Sequence, residues 1–311
     1  MRIVFMGTPE FAANILYELN EQHDVVAVYT RRDAVRGRGK DLVPSPVKLV
    51  AEKLGIPVRV PATLRDPEAI EELAALAPDA ICVAAYGMIL PQEVLDIPPY
   101  GCLNVHASLL PKYRGAAPIE RAILNGDSET GVCIMKMEAG LDTGPCCISR
   151  SLEIGDLPFD KVVGELADLG ACSLLSALYA LENGGVHWIE QDDSSATYAE
   201  KVEKKEFMLD ADSDAHQNSR RIQSSCCAHP ARCVIAGKSV TILSGRCTYP
   251  EDQHADPGAV TFMGKRLLLW CSEGAIEVGI VKPDGKKEMP AAAFAPGIQG
   301  IKDGNLTWEC M

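Results

Sequence analysis

No glycine-rich dinucleotide fingerprint follows the first apolar run of this sequence, which breaks at Gly7-Thr8-Pro9-Glu10, so a nucleotide cofactor held by G-x-G-x-x-G is not expected. A phosphate loop is missing as well. Arg36-Gly37-Arg38-Gly39-Lys40 continues into Asp41, and Gly237-Lys238-Ser239 has Arg232 where that motif needs glycine. There is no G-x-S-x-G nucleophile elbow. The 12 cysteines include no Cys-x-x-Cys pair and none at zinc-finger spacing from a histidine, so no metal is expected. Cys146-Cys147 and Cys226-Cys227 are vicinal, poor geometry for bridging distant elements, and Cys82 lies inside an apolar run. They read as reduced packing residues. No uninterrupted apolar stretch approaches the roughly 18 residues of a membrane span. Met1-Arg2-Ile3-Val4-Phe5 enters a strand-like run at once, leaving no room for a signal or transit peptide. The expectation is a cytoplasmic, bacterial, monomeric protein with no membrane partner.

Positive charge is scarce too. The 311 residues carry 30 Lys and Arg against 43 Asp and Glu, a net charge of −13. That argues against a general nucleic-acid binder, which gathers basic residues on one face. The deficit is uneven: 16 basic residues stand against 28 acidic through Ala199, and 14 against 15 in the rest. Residues 31–40 are locally basic, with Arg31, Arg32, Arg36, Arg38 and Lys40 against Asp33. With 47% hydrophobic and 23% charged residues, the composition is that of a globular protein and excludes disorder, collagen and coiled coil. The length suggests two domains.

What is present is an alternation of strand and helix signals. Ile3–Met6, Val25–Tyr29 and Ala80–Ala85 are short apolar runs. Between them, Phe11, Ile15, Leu16 and Leu19 recur at helical spacing, and residues 46–54 and 67–76 read as further helices. Such runs, suited to burial on both faces, predict a doubly wound, mostly parallel α/β sheet with its ligand site beyond the carboxyl ends of the strands. A long helix over 159–181 closes the first domain, residues 1–187. The polar stretch 188–206, with Gln191-Asp192-Asp193-Ser194-Ser195, reads as a linker. In residues 207–311, apolar runs at 240–243, 267–271 and 275–280, separated by turn residues, predict a smaller all-β barrel.

The densest chemistry lies in Asn104-Val105-His106-Ala107-Ser108-Leu109-Leu110-Pro111, with Asp142 after a later strand. Asn104 and His106 are two apart, so on a strand they share a face. An amide donor, an imidazole and a carboxylate can together polarise a carbonyl, stabilise its oxyanion and shuttle protons. The same residues could equally be a satisfied strand-end histidine and a turn aspartate.

Asn104-Val105-His106, Ser108-Leu109-Leu110-Pro111, Arg114-Gly115 and Leu141-Asp142-Thr143-Gly144 resemble the formyltransferase family that uses 10-formyltetrahydrofolate. Phe5-Met6-Gly7-Thr8-Pro9-Glu10-Phe11-Ala12, Pro111-Lys112-Tyr113-Arg114-Gly115-Ala116-Ala117-Pro118-Ile119 and Thr197-Tyr198-Ala199-Glu200-Lys201 are similar to the members that formylate methionyl initiator tRNA. The likeness runs from residue 1 to about 205 and thins beyond it. It implies Asn104, His106 and Asp142 as the catalytic trio. It implies Ser108, Leu109, Leu110 and Pro111 with Tyr86, Gly87, Ile89 and Leu90 as binders of the folate donor. It also implies Arg36, Arg38 and Lys40 as contacts to the tRNA acceptor end, and an oligonucleotide-binding type of barrel that touches tRNA. The same catalytic domain could serve another amine, glycinamide ribonucleotide or an amino sugar, or could bind folate or RNA without catalysis.

Overall fold

The structure is a computed structural model that describes residues 1–35, 42–251, 254–301 and 303–311. The chain forms two compact units, one of Met1–Ala122, Ser128–Gly155 and Lys161–Lys201, the other of Ile123–Asp127, Asp156–Asp160 and Val202–Met311.

In the first unit, β1 (Arg2–Gly7), α1 (Glu10–Gln22) and β2 (Asp24–Tyr29) are followed by α2 (Pro46–Leu54), β3 (Val58–Arg59), α3 (Pro67–Ala75), β4 (Ala80–Ala84) and β5 (Cys102–His106). Then come α4 (Pro118–Asn125), β6 (Glu129–Lys136), β7 (Cys146–Glu153) and α5 (Phe159–Glu182). The sheet order is β7-β6-β5-β4-β1-β2-β3. The five strands from β3 to β5 run parallel, while β6 is antiparallel to both its neighbours. The doubly wound sheet is therefore present with an antiparallel excursion at one edge.

Local sequence explains the boundaries. Ser45 caps α2 by accepting from Lys48 N–H at 3.0 Å, Pro46 takes the first turn, and Gly55 ends the helix at φ 71°. Every residue of β4 is buried, as a strand covered on both faces requires. α5 has the length and hydropathy to cross a membrane, but 50% of its most apolar window is buried inside the protein. Leu166, Gly170, Leu174 and Leu178 form part of its buried stripe. A Cβ on Gly170 would meet Val105 Cγ1 at 2.8 Å, so this helix lies directly on β5.

The second unit has α6 (Ala215–Gln223) and the strands β8 (Arg232–Ile235), β9 (Lys238–Thr248), β10 (Ala259–Met263), β11 (Arg266–Trp270), β12 (Ala275–Pro283) and β13 (Leu306–Glu309). Their order, β9-β8-β13-β10-β11-β12, closes through β12 pairing with β9 into a six-stranded antiparallel barrel. Val240, Ile242, Leu267, Leu269, Ile276 and Trp308 fill its interior. Trp308 Nε1 donates to Trp270 O at 2.9 Å, satisfying its one polar atom.

Candidate active site

Strand β5 alternates its side chains, with Val105 under α5 and Asn104 and His106 on the opposite face at the carboxyl end. Asn104 is 9% and His106 5% exposed. His106 Nε2 lies 2.9 Å from Tyr113 O, and because a carbonyl only accepts, that nitrogen carries the proton. Its Nδ1 faces Asp142 Oδ2 at 3.7 Å, an ion-pair separation too long for a direct hydrogen bond. The Asn104 amide makes no hydrogen bond among the described residues and is not among their buried unpartnered atoms, so it opens toward solvent on this face.

Asp142 reaches the face because the turn after β6 puts it at φ 51°, left-handed backbone that a non-glycine residue adopts at a cost. Its Oδ2 accepts from Gly115 N–H at 2.8 Å. Tyr113 and Gly115, at φ 61° and 124°, thus present a carbonyl to the histidine and an amide to the aspartate. The loop that does so is held from outside. Tyr113 N–H donates to Thr197 Oγ1 at 2.9 Å, and Arg114 N–H to Thr197 O at 2.9 Å. Tyr198–Ala199 pairs in parallel with Arg114–Gly115. Residues up to Lys201 group with the first unit, so most of the stretch 188–206, read from its polarity as a connection, is a strap around the site. Gln191, Asp193 and Thr197 bond to the loop and the Asp142 turn while Asp192, Ser194 and Ser195 stay exposed, a division that composition alone does not reveal.

The residues implied for the folate lie beside β4 and β5. Thr8 Oγ1 donates to Tyr86 O at 3.0 Å, joining the carboxyl ends of β1 and β4 where the strand order reverses. Gly87, at φ 77°, makes the turn, Ile89 is 77% exposed and Leu90 is buried. Tyr86 is buried, its hydroxyl unpartnered among the described residues and its pKa pushed up by burial. Ser108 is fully buried and donates to Lys112 O at 2.6 Å, so it shapes the loop rather than reaching outward. Leu109, Leu110 and Pro111 are half-buried. Arg36, Arg38 and Lys40 lie outside the described residues. Just before them, Asp33 pairs with Lys48 at 2.9 Å. Among the described residues no group of three His, Cys, Asp or Glu could hold a metal ion.

Two features escaped the sequence reading. Gln191 bonds to Arg114 and to the Asp142 turn. Cys133, the register partner of His106, lies beside Cys146 and donates its thiol to Ser149 Oγ at 3.4 Å, and the two neighbouring thiols shift each other's pKa, Cys133 downward and Cys146 upward. Neither has a local motif, since both depend on contacts across the chain.

Residues 1–165 match the family model described as Formyl transferase, and residues 201–299 the one described as Formyl transferase, C-terminal domain. The chain is 45% identical over 299 residues to a methionyl-tRNA formyltransferase of Cereibacter sphaeroides, covering 96% of each. It is also 45% identical over 298 residues to that of Xanthomonas campestris, covering 94% of this chain and 96% of the other. Among solved structures, an N-formyltransferase of Helicobacter canadensis in complex with folinic acid and dTDP-3-aminofucose aligns with TM-score 0.67 at 17% identity, over 89% of this chain and 98% of that one. HypX of Aquifex aeolicus with tetrahydrofolic acid aligns with TM-score 0.65 at 18% identity, over 97% of this chain and 48% of that one. The chain thus spans about half of HypX, and at these identities both likenesses speak for the fold alone.

Proposed function

The chain belongs to the formyl transferase family, and we propose that it moves the formyl group of 10-formyltetrahydrofolate to the α-amine of methionyl initiator tRNA. The observation that carries this is the free Asn104 amide sharing one face with His106 and Asp142, in a chain 45% identical over nearly its whole length to a methionyl-tRNA formyltransferase.

The methionyl nitrogen attacks the formyl carbon, a C–N bond forms, and the carbonyl electron pair moves onto oxygen. Asn104 is the resident donor to that oxyanion, being unengaged beforehand. His106 becomes the second donor when its Nε2 exchanges the Tyr113 carbonyl for the substrate. Asp142, anchored by Gly115 N–H, holds the imidazole and accepts the proton that the attacking nitrogen loses. That proton ends on N10 as the N10–carbon bond breaks, so the step needs neither a covalent enzyme intermediate nor a redox partner.

Exposed Ile89 offers apolar surface for the flat donor ring, and Tyr86, Gly87 and Leu90 shape the turn beneath it. Leu109, Leu110 and Pro111 wall the other side, with Ser108 bracing their loop. Arg36, Arg38 and Lys40 contact the acceptor end of the tRNA, and the barrel touches the same tRNA. A charged tRNA as substrate fits a protein working in the bacterial cytoplasm, and we take it to act as a monomer. The test is to supply both substrates and count formylmethionyl-tRNA. The protein is expected to turn over many times, with His106→Ala and Asp142→Asn each at least about 10²-fold slower in kcat. If neither substitution slows the reaction, this assignment of roles is wrong.

A further inference from the structure

We propose that Gln191 is a positioning residue that holds the Asp142 carboxylate at its working distance from His106. This rests on the reading of Asp142 as the proton acceptor.

The Gln191 side chain is saturated. Its Nε2 donates to Asp142 O at 2.8 Å and to Gly144 O at 2.7 Å, while its Oε1 accepts from Arg114 Nε at 3.0 Å and from an Arg114 terminal nitrogen at 2.9 Å. Arginine only donates and carbonyls only accept, so the chemistry of the partners leaves this amide one orientation. Arg114 is in turn fixed, 2% exposed and paired with Asp193 at 2.7 Å.

Each end of this bridge bears on the trio. At one end, the amide grips the carbonyl of Asp142 itself, the residue held at φ 51°. Left-handed backbone at a non-glycine residue persists only where its surroundings impose it. At the other end, Arg114 sits between the Tyr113 carbonyl bonded to His106 and the Gly115 amide bonded to Asp142. One side chain therefore ties the turn that carries the carboxylate to the loop that orients the imidazole. A proton acceptor displaced by even 1 Å can lose about 10²-fold in rate.

The backbone around Gln191 is anchored without its side chain. Ile189 and Cys146 exchange two 2.9 Å hydrogen bonds, and Tyr198–Ala199 stays paired with Arg114–Gly115. Removing the amide thus leaves the strap in place and removes the tie between the turn and Arg114, which keeps its pairing with Asp193.

The experiment measures kcat, KM for each substrate and the pH dependence of kcat in Gln191→Leu, Gln191→Glu, Asp142→Asn and the double variant Gln191→Leu with Asp142→Asn. Gln191→Leu should lose about 10²-fold in kcat with little change in either KM, and the pH inflection of kcat should move. The double variant should be no slower than Asp142→Asn alone, since both act on one carboxylate. Gln191→Glu keeps a partner for Arg114 but sets a carboxylate oxygen, which cannot donate, against the Asp142 and Gly144 carbonyls, and should lose kcat as Gln191→Leu does. Wild-type kcat in Gln191→Leu, or a loss with an unmoved pH profile and full additivity, overturns the positioning role while leaving Asp142 intact. A fully active Asp142→Asn overturns both readings together.

Discussion

Asn104 is the residue whose removal gives the cleanest signal, because among the described residues its amide has no partner to orphan. Asn104→Ala should lower kcat by about 10²–10³-fold while the KM for the folate donor stays within about twofold, as expected for a donor used only in the transition state. Steady-state kinetics decide it, and a loss confined to KM would move Asn104 from the oxyanion to substrate binding. The cysteines are a second case at this scale. All 12 are free, with Cys172, Cys227 and Cys310 exposed, while burial pushes Cys102 and Cys233 up to about 12. A colorimetric thiol titration of the native protein should show three fast equivalents, with the buried thiols appearing only on denaturation. The burial of Cys82 was legible from its apolar neighbours, whereas the exposed three are not packing residues. The coupling of the Cys146 and Cys133 thiols was not legible, because a bulge in β7 between Cys146 and Ile148 shifts its register against β6.

Among the elements, the loop and strap around Gly115 make the sharpest prediction. Gly115 sits at φ 124° with Ala199 O only 2.8 Å from where a Cβ would stand. Gly115→Ala should cost about 1–3 kcal/mol of stability and also lower kcat, since the same residue supplies the amide to Asp142. Thermal melts and kinetics on one preparation test both halves, and an unchanged melt would contradict the strain. In the barrel, Arg246 and Arg266 on either side of Glu277 Oε2 lower the Glu277 pKa from its ordinary 4.5. A lowered carboxyl contributes stability above pH 4.5 that is lost as the pH falls through the folded-state value. Glu277→Gln should therefore melt lower than the parent near neutrality, the gap closing in acid; a gap constant with pH would rule out the ion pairs as its cause. Where a stripe or run is apolar, as in α2, α3 and β4, the elements were legible to within a residue or two. β7 and α6 were not, because no residue of β7 is fully buried and α6 is largely polar. The strap was hidden for a related reason: Gln191 and Asp193 reach an arginine 77 and 79 residues away, and no local pattern records such a contact.

Across the whole molecule, the charge of −13 suits a partner touched in one place rather than coated. If Arg36, Arg38 and Lys40 meet phosphates, kcat/KM for methionyl-tRNA should fall with salt at a log–log slope of roughly −2 to −3. Replacing all three with alanine should flatten that slope while leaving the KM for the folate donor unchanged; an unaltered slope would place the tRNA contacts elsewhere. That Asn104, His106 and Asp142 come together was readable from their motifs, whereas the acceptor is a property of the full chain, since the same fold occurs in an N-formyltransferase structure with an aminosugar nucleotide. The most direct test of the account is therefore a comparison of formyl transfer rates from 10-formyltetrahydrofolate to methionyl initiator tRNA, glycinamide ribonucleotide and a nucleotide-linked amino sugar, each at the same concentration. The account predicts rapid formylation of methionyl-tRNA and negligible transfer to the two small amines. A comparable or faster rate with either small amine would contradict it.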